Sequence, residues 1–251
     1  FLTGVIGQKK MFKDIVPGLS HAIVFWGFLV VTLGTLELIL SGIIPDFSWL
    51  FLGVPLYSAL LTLQDIFYVL VLCAIVFFFY RRLVLKPDRL TPLSRHSAWD
   101  AYFILSLIAI LMISSLTLTG SEFIINRQPW DIFKPFAAVT ASLFQSLHLS
   151  PEDLKIISEI SWWTHFLTVL LFFCYLPFSK HLHVVAAAPN VFFTSLNPRG
   201  RLNKLDLSDE SQTEFGVGKI EDFSWKQLLD GYACTECGRC NEFCPTYNTA
   251  K

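Results

Sequence analysis

Charge is what this chain has least of. Only 16% of its 251 residues are Asp, Glu, Lys or Arg, against about 25% in an ordinary soluble domain. A basic excess is missing as well. The formal net charge is −1, so no surplus of cations exists to neutralise phosphates, and nucleic acid is excluded as a partner. The chain has no nucleotide-binding glycine fingerprint, so it does not accept hydride itself. It also lacks a signal-peptide pattern, because Lys9, Lys10 and Lys13 precede an apolar run too long for one. The first residue is Phe1 rather than Met, and Phe1 to Gly7 reads like the tail of an apolar segment. A processed chain, or part of a longer one, is expected. Apolar mass fills the space that charge leaves: 53% of residues are hydrophobic, with 24 Phe and 7 Trp. That is more than one soluble core can use, which rules out an ordinary globular enzyme and any disordered or collagen-like chain. The fold class predicted is all-α: a polytopic membrane helix bundle of at least four spans, followed by a small ferredoxin-type segment.

A helix needs about 20 apolar residues to cross a bilayer. Four stretches meet this, roughly 19–44, 56–80, 101–121 and 160–182. Loop charges orient them. Arg81, Arg82, Lys86, Arg89 and Arg95 lie between the second and third stretches. Lys9, Lys10 and Lys13 precede the first, and Lys180, Arg199, Arg201 and Lys204 follow the fourth. The loop between the first two has no Lys or Arg. All of this puts both ends of the chain in the cytoplasm. The loop 122–159 is then external and long enough to hold structure. Within it, Ser150-Pro-Glu-Asp153 offers a helix start with a Ser N-cap, Pro at N1 and acids in the first turn.

Composition changes after Val185. Residues 1–185 read as the transmembrane domain, 186–222 as a polar cytoplasmic linker punctuated by Pro and Gly, and 223–251 as the start of an iron–sulfur domain. Ser224-Trp-Lys-Gln227 offers a capping box for a short helix that delivers the chain to the cysteines. Of six cysteines, Cys73 and Cys174 sit singly in apolar runs and read as small buried hydrophobes. The other four form Cys234-Thr-Glu-Cys237-Gly-Arg-Cys240-Asn-Glu-Phe-Cys244-Pro245, a C-x2-C-x2-C-x3-C-P run. Three thiolates so spaced wrap one corner of a [4Fe–4S] cube, and the fourth ligates the other cluster of a two-cluster ferredoxin. Structural zinc prefers C-x2-C knuckles well separated in sequence. A second cysteine run should supply the remaining ligand of the first cluster, and the chain is expected to continue past Lys251 to provide it.

Histidines inside spans are rare and default to functional candidates. His21 opens the first span, and His165 and His183 bracket the fourth. On a continuous helix eighteen residues make five whole turns, so His165 and His183 would share a face about 27 Å apart. One imidazole at each membrane surface suits two b-type haems, a bis-His inner one joining His21 to His183 and an outer one on His165. His148 in the outer loop, or Met112, would complete the outer haem if it is six-coordinate. His96 reads as solvated, and His181 faces away from His183. Glu37 and Asp65, toward the outer ends of their spans, suit either quinone-proton relay or a partly hydrated interface.

Leu176-Pro-Phe-Ser-Lys-His-Leu-His183, with His165 eighteen residues earlier, resembles the last helix of the respiratory nitrate reductase gamma subunit, a dihaem b quinol-oxidising anchor. Ser20-His-Ala-Ile-Val-Phe-Trp-Gly-Phe28 with Gly34-Thr35, and the tract Gly216 to Asp230, resemble the fused form in heterodisulfide-reductase-related membrane Fe–S oxidoreductases. That group includes bacterial electron-transfer-flavoprotein:menaquinone oxidoreductases. The resemblance implies His21 and His183 as ligands of the cytoplasmic-side haem b and His165 as a ligand of the outer one. In the nitrate reductase pattern the partner of the outer haem lies ten residues after the first ligand, and here that position is Val31. The resemblance also implies further cysteine-rich Fe–S modules in the same or a partner chain, and a bacterial inner membrane location. Electrons would pass between a cytoplasmic donor, reduced electron-transfer flavoprotein, and menaquinone. A quinol-driven heterodisulfide or sulfur-compound reductase subunit is the alternative, and a non-redox membrane anchor with a zinc knuckle is the alternative of another class.

The two-cluster spacing predicts that Cys244→Ser and Cys237→Ser perturb different EPR signals. Loss of one and the same signal in both variants would contradict it.

Overall fold

The computed structural model describes residues 1–90, 95–126, 129–198, 216–242 and 244–249. Among these every regular element is helical, as expected. The long helices are α1 (Ile15–Ile43), α2 (Val54–Tyr80), α3 (Arg95–Ile125) and α5 (Pro151–Tyr175), with α4 (Pro135–Ser146) between the last two. Among the described residues four helices are long and apolar enough to cross a membrane, and they are these four. Short helices follow: α6 (His183–Phe192), α7 (Trp225–Tyr232), α8 (Arg239–Glu242) and α9 (Pro245–Asn248). The chain forms two compact units: Lys10–Tyr175, and Phe1–Lys9 with Leu176–Lys251.

In the first unit α3 packs against α5, α2 and α4, and α1 packs against α2. The α1–α2 approach depends on glycine. A Cβ on Gly27 would collide with Val71, and one on Gly34 would stand 2.9 Å from the Gln64 amide nitrogen. Val31, Tyr68, Val71, Ile75 and Met112 form the buried apolar core. Met112 is therefore a core side chain packed among apolar neighbours. Outward faces carry large apolar residues such as Leu29, Leu33, Leu70 and Leu167, as lipid contact requires. Cys73 and Cys174 are exposed rather than buried. They fall on these outward faces of α2 and α5, where a small apolar residue meets lipid instead of protein.

No water is available at membrane depth, so hydroxyls bond to their own helix. Ser115 donates to the Leu111 carbonyl at 2.9 Å, Thr119 to Ser115 at 2.9 Å, and Ser121 to Thr117 at 2.9 Å. At one end of the bundle Asp14 pairs with Arg89 and, at 3.5 Å, with Arg81. At the other end the Glu37 carboxylate accepts from the Ser48 hydroxyl (2.6 Å) and the Trp49 amide (3.0 Å). Arg199, Arg201 and Lys204 of the expected basic flank lie outside the described residues, and of Arg95 only the backbone is described.

Asp65 has only 1% of its surface exposed. Its carboxylate accepts the backbone N–H groups of Phe136 (2.6 Å) and Ala137 (3.0 Å). These are two of the donors that the first turn of α4 cannot satisfy internally, and Lys134, at the N-cap position, offers no side-chain cap. Asp65 thus caps α4 from α2, where its negative charge also meets the positive end of the helix dipole. This is a structural use of the acid, not the hydrated interfacial placement considered from the sequence.

The fourth span differs most from expectation. Ser150 and Pro151 do start α5, with the Ser150 hydroxyl accepting the Asp153 amide at 3.2 Å. The helix ends at Tyr175 rather than near residue 182. Pro177 has no N–H and disfavours helical geometry at Leu176. Two short 3-10 turns follow, Leu176–Phe178 and Lys180–Leu182, with Ser179 extended at φ −120°, ψ 163°. His183 begins a new helix, so the five-turn arithmetic linking it to His165 does not apply. That helix also runs through Phe192, into the stretch expected to be linker.

In the second unit, Phe1 meets Phe192 edge-on at 6.1 Å, and Phe193 meets Trp225 edge-on at 5.2 Å. Lys226 reaches the Asn190 amide oxygen and pairs with Asp230 at 2.6 Å. The predicted capping box is present: Ser224 accepts from the Gln227 amide (3.4 Å) while the Gln227 side chain accepts from the Ser224 amide (2.8 Å).

The Asp65 cap predicts a measurable loss. Asp65→Ala strands two buried N–H groups and is expected to cost about 2–3 kcal/mol, seen as a fall of several degrees in the thermal midpoint of the detergent-solubilised protein. Asp65→Asn, which keeps one acceptor oxygen, should lose less.

Candidate redox centres

The cysteine run follows α7 directly. Glu236 (φ +52°) and Gly238 (φ +72°) are both left-handed, which curls the chain between Cys234 and Cys240. The Glu236 amide donates to Cys234 Sγ at 3.4 Å, an N–H···S bond of the sort that tunes a cluster-bound thiolate. Cys234, Cys237 and Cys240 are exposed and Cys244 is half-buried. Four thiols at this spacing, on a turn that aims an amide at sulfur, fit an iron–sulfur cluster in donor chemistry. Among the described residues, no three His, Cys, Asp or Glu side chains are gathered around one metal position.

The same unit holds the segment after the fourth span. The Lys180 ammonium pairs with the Glu236 carboxylate at 2.9 Å, so the first cysteine turn lies beside the turn carrying His181 and His183. Nδ1 of His183 carries the ring proton, because it lies 2.8 Å from the Lys180 carbonyl oxygen, which can only accept. The lone pair is thereby assigned to Nε2, the arrangement found where an imidazole ligates a metal and its other nitrogen is fixed by a backbone carbonyl. Burial pulls the His183 imidazole below its ordinary pKa, with the bond to the Lys180 carbonyl opposing. The net lowering suits a neutral, ligating ring. His181 and His183 stand edge to face at 5.5 Å. His21 belongs to the other unit, in the first turns of α1, and is half-buried.

His165 has a different environment. Only 5% of it is exposed. Its Nδ1 faces the hydroxyls of Ser114 and Ser115 on α3, both at 3.3 Å, and its Nε2 faces the Thr35 hydroxyl on α1 at 3.4 Å. His148 is exposed, in a left-handed turn before α5. Fourteen residues of α5 separate Pro151 from His165, about 21 Å along the axis, so His148 does not serve as the opposite ligand. Val31 is a core residue. His96 is exposed near the start of α3. Sequence reasoning did not find the Thr35, Ser114 and Ser115 contacts, nor the buried Asp100 carboxylate that accepts from the Tyr175 hydroxyl at 2.6 Å. Their only trace was hydroxyls and an acid on otherwise apolar helices.

A helical segment built to cross a membrane, joined to a cysteine run of ferredoxin spacing, defines the class: a membrane protein with an iron–sulfur-type segment. Three known proteins are similar to the chain. The chain is 38% identical over 247 residues to the probable iron-sulfur-binding oxidoreductase FadF of Bacillus subtilis, covering 98% of this chain and 34% of that protein. It is 31% identical over 252 residues to the EtfAB:quinone oxidoreductase of Syntrophomonas wolfei, again 34% of that protein's length. A probable membrane-anchored ferredoxin of Chromohalobacter salexigens is 48% identical over 46 residues, 18% of this chain and 7% of that one. The chain thus spans about a third of the length of the two relatives it matches throughout. No family model and no solved structure matches it.

Proposed function

We propose that this chain is the electron-transferring membrane part of a quinone-linked iron–sulfur oxidoreductase, working between a soluble flavoprotein and menaquinone. The observation that carries the reading is the Lys180–Glu236 ion pair at 2.9 Å, which holds the cysteine run against the His181–His183 turn inside one unit. Thiol and imidazole donors side by side are what a path of one-electron carriers needs. The printed names of the two long relatives, one iron-sulfur-binding and one quinone-linked through EtfAB, support the same class of chemistry.

In this reading Cys234, Cys237 and Cys240 hold one [4Fe–4S] cluster and Cys244 belongs to a second. His21 and His183 are the residues that the family resemblance assigns to haem b. Bound there, these groups supply one-electron redox chemistry that the protein's own side chains lack. The chain's contribution is to position them. The Lys180 carbonyl fixes the His183 ring, the Glu236 amide bonds the first thiolate, and the Lys180–Glu236 pair ties the two together. The apolar outer faces of α1, α2, α3 and α5 provide access to a lipid-soluble quinone. The family resemblance supports placement in the bacterial inner membrane, and the basic residues flanking the spans support a cytoplasmic side for the cysteine run.

The test uses purified full-length protein. Reduced electron-transfer flavoprotein should reduce haem bands in the visible spectrum, and a menaquinone analogue should reoxidise them. Reduction by quinol, with none by flavoprotein, would move the assignment to a heterodisulfide or sulfur-compound reductase. A colourless, zinc-containing protein would make the chain a non-redox anchor.

A further inference from the structure

We propose that His165 is a hydrogen-bonding hub that locks α1, α3 and α5 together, and that it is not a haem ligand. This refines the haem count of the proposed function and rests on contacts inside the Lys10–Tyr175 unit.

The hydrogen-bond inventory assigns the tautomer. Ser114 and Ser115 each donate their hydroxyl proton to the Leu111 carbonyl, at 3.0 and 2.9 Å. With those protons committed, both oxygens meet His165 Nδ1 as acceptors, so Nδ1 carries the hydrogen and shares it between them. Nε2 then holds the lone pair and faces Thr35. The Thr35 hydroxyl lies 3.5 Å from the Val31 carbonyl and 3.4 Å from Nε2, so it is able to donate to the ring. One imidazole thus joins three helices, two of them otherwise far apart in sequence from its own.

The same geometry leaves no place for a porphyrin at this ring. A metal–imidazole bond is about 2 Å long. Iron on Nε2 would fall between the ring and a hydroxyl only 3.4 Å away. Nδ1 is closed by two serines. Across the bundle, the position where a second axial ligand is expected holds Val31, packed into the core with Tyr68, Val71, Ile75 and Met112. Below Thr35, Gly34 is filled by the Gln64 side chain rather than by open space. One turn toward the start of α5, Ser161 bonds Thr117 at 2.8 Å. The seam between α3 and α5 is therefore tied twice by side-chain hydrogen bonds, with no gap between the ties.

The experiment is haem per chain by pyridine haemochrome on the purified full-length protein, with thermal midpoints measured alongside. Wild type is compared with His165→Gln, His165→Ala, Thr35→Val and His183→Ala. His165→Gln is expected to keep the wild-type haem-to-chain ratio, because an amide still bonds the surrounding hydroxyls, whereas His183→Ala loses haem. His165→Ala should keep the ratio but unfold at a lower temperature, and Thr35→Val should shift the midpoint in the same direction. Halving of the ratio in both His165 variants would overturn the inference while leaving the electron-transfer reading in place. Wild-type protein without haem would sink the haem assignment of the proposed function, yet the midpoints would still judge the hub. An unchanged midpoint in His165→Ala would overturn it.

Discussion

Proline has no amide hydrogen, and a helix that meets one in its interior must give up a backbone bond or stop. At Pro177 this helix stops. The arrangement of the chain follows from that single chemical lack. Tyr175 is the last residue of the bundle, Leu176 the first of the second unit, and two 3-10 turns re-aim the backbone before His183 starts a fresh helix. Had the fourth span run on, its last turns would carry Lys180 and His183 away in a straight line. Instead they sit on a bent segment whose backbone carbonyls are accessible, and one of these fixes the His183 ring while the Lys180 side chain reaches Glu236.

Inside the bundle a second constraint acts, the absence of water. Hydroxyls such as those of Ser115, Thr119 and Ser121 return to their own helix, and that of Thr117 also crosses to a neighbour. The Ser114, Ser115, Thr35 and His165 group does both, because a hydroxyl that donates to an i−4 carbonyl still has lone pairs to offer. Asp65 solves the corresponding problem for the backbone. The N-terminal amides of α4 have no local cap, and a carboxylate reaches them from the helix beneath. These two devices explain how a segment so poor in charge keeps several polar side chains almost wholly buried.

The spans were legible in the sequence because composition alone decides them, and the cysteine run was legible because its chemistry is written in local spacing. The Ser150 N-cap and the Ser224 capping box were legible for the same reason. Features that depend on a distant partner were not. Asp65 gives no sign in the sequence that it caps residues about seventy positions later. Thr35 and Ser114 look like ordinary small residues on apolar helices. A face shared by His165 and His183 is what helical period implies, but Pro177, two-thirds of the way between them, breaks the helix. Cys73 and Cys174 were taken for interior residues because apolar surroundings in sequence do not distinguish a protein core from lipid.

The Lys180–Glu236 pair spans about fifty residues of intervening chain, most of it a connection between α6 and α7. Once two ends are joined, lengthening the chain between them is thermodynamically mild: doubling a flexible connection costs only about 0.6 kcal/mol. Spacing between the membrane bundle and the cysteine run is therefore a poorly constrained quantity. Evolution is free to insert or delete residues in that connection, or to graft another module there, without separating the thiol turn from the imidazole turn. The geometry that matters is stored in the contacts that join the two ends, Lys180–Glu236, Phe193–Trp225 and Lys226–Asn190, not in the length of the tether.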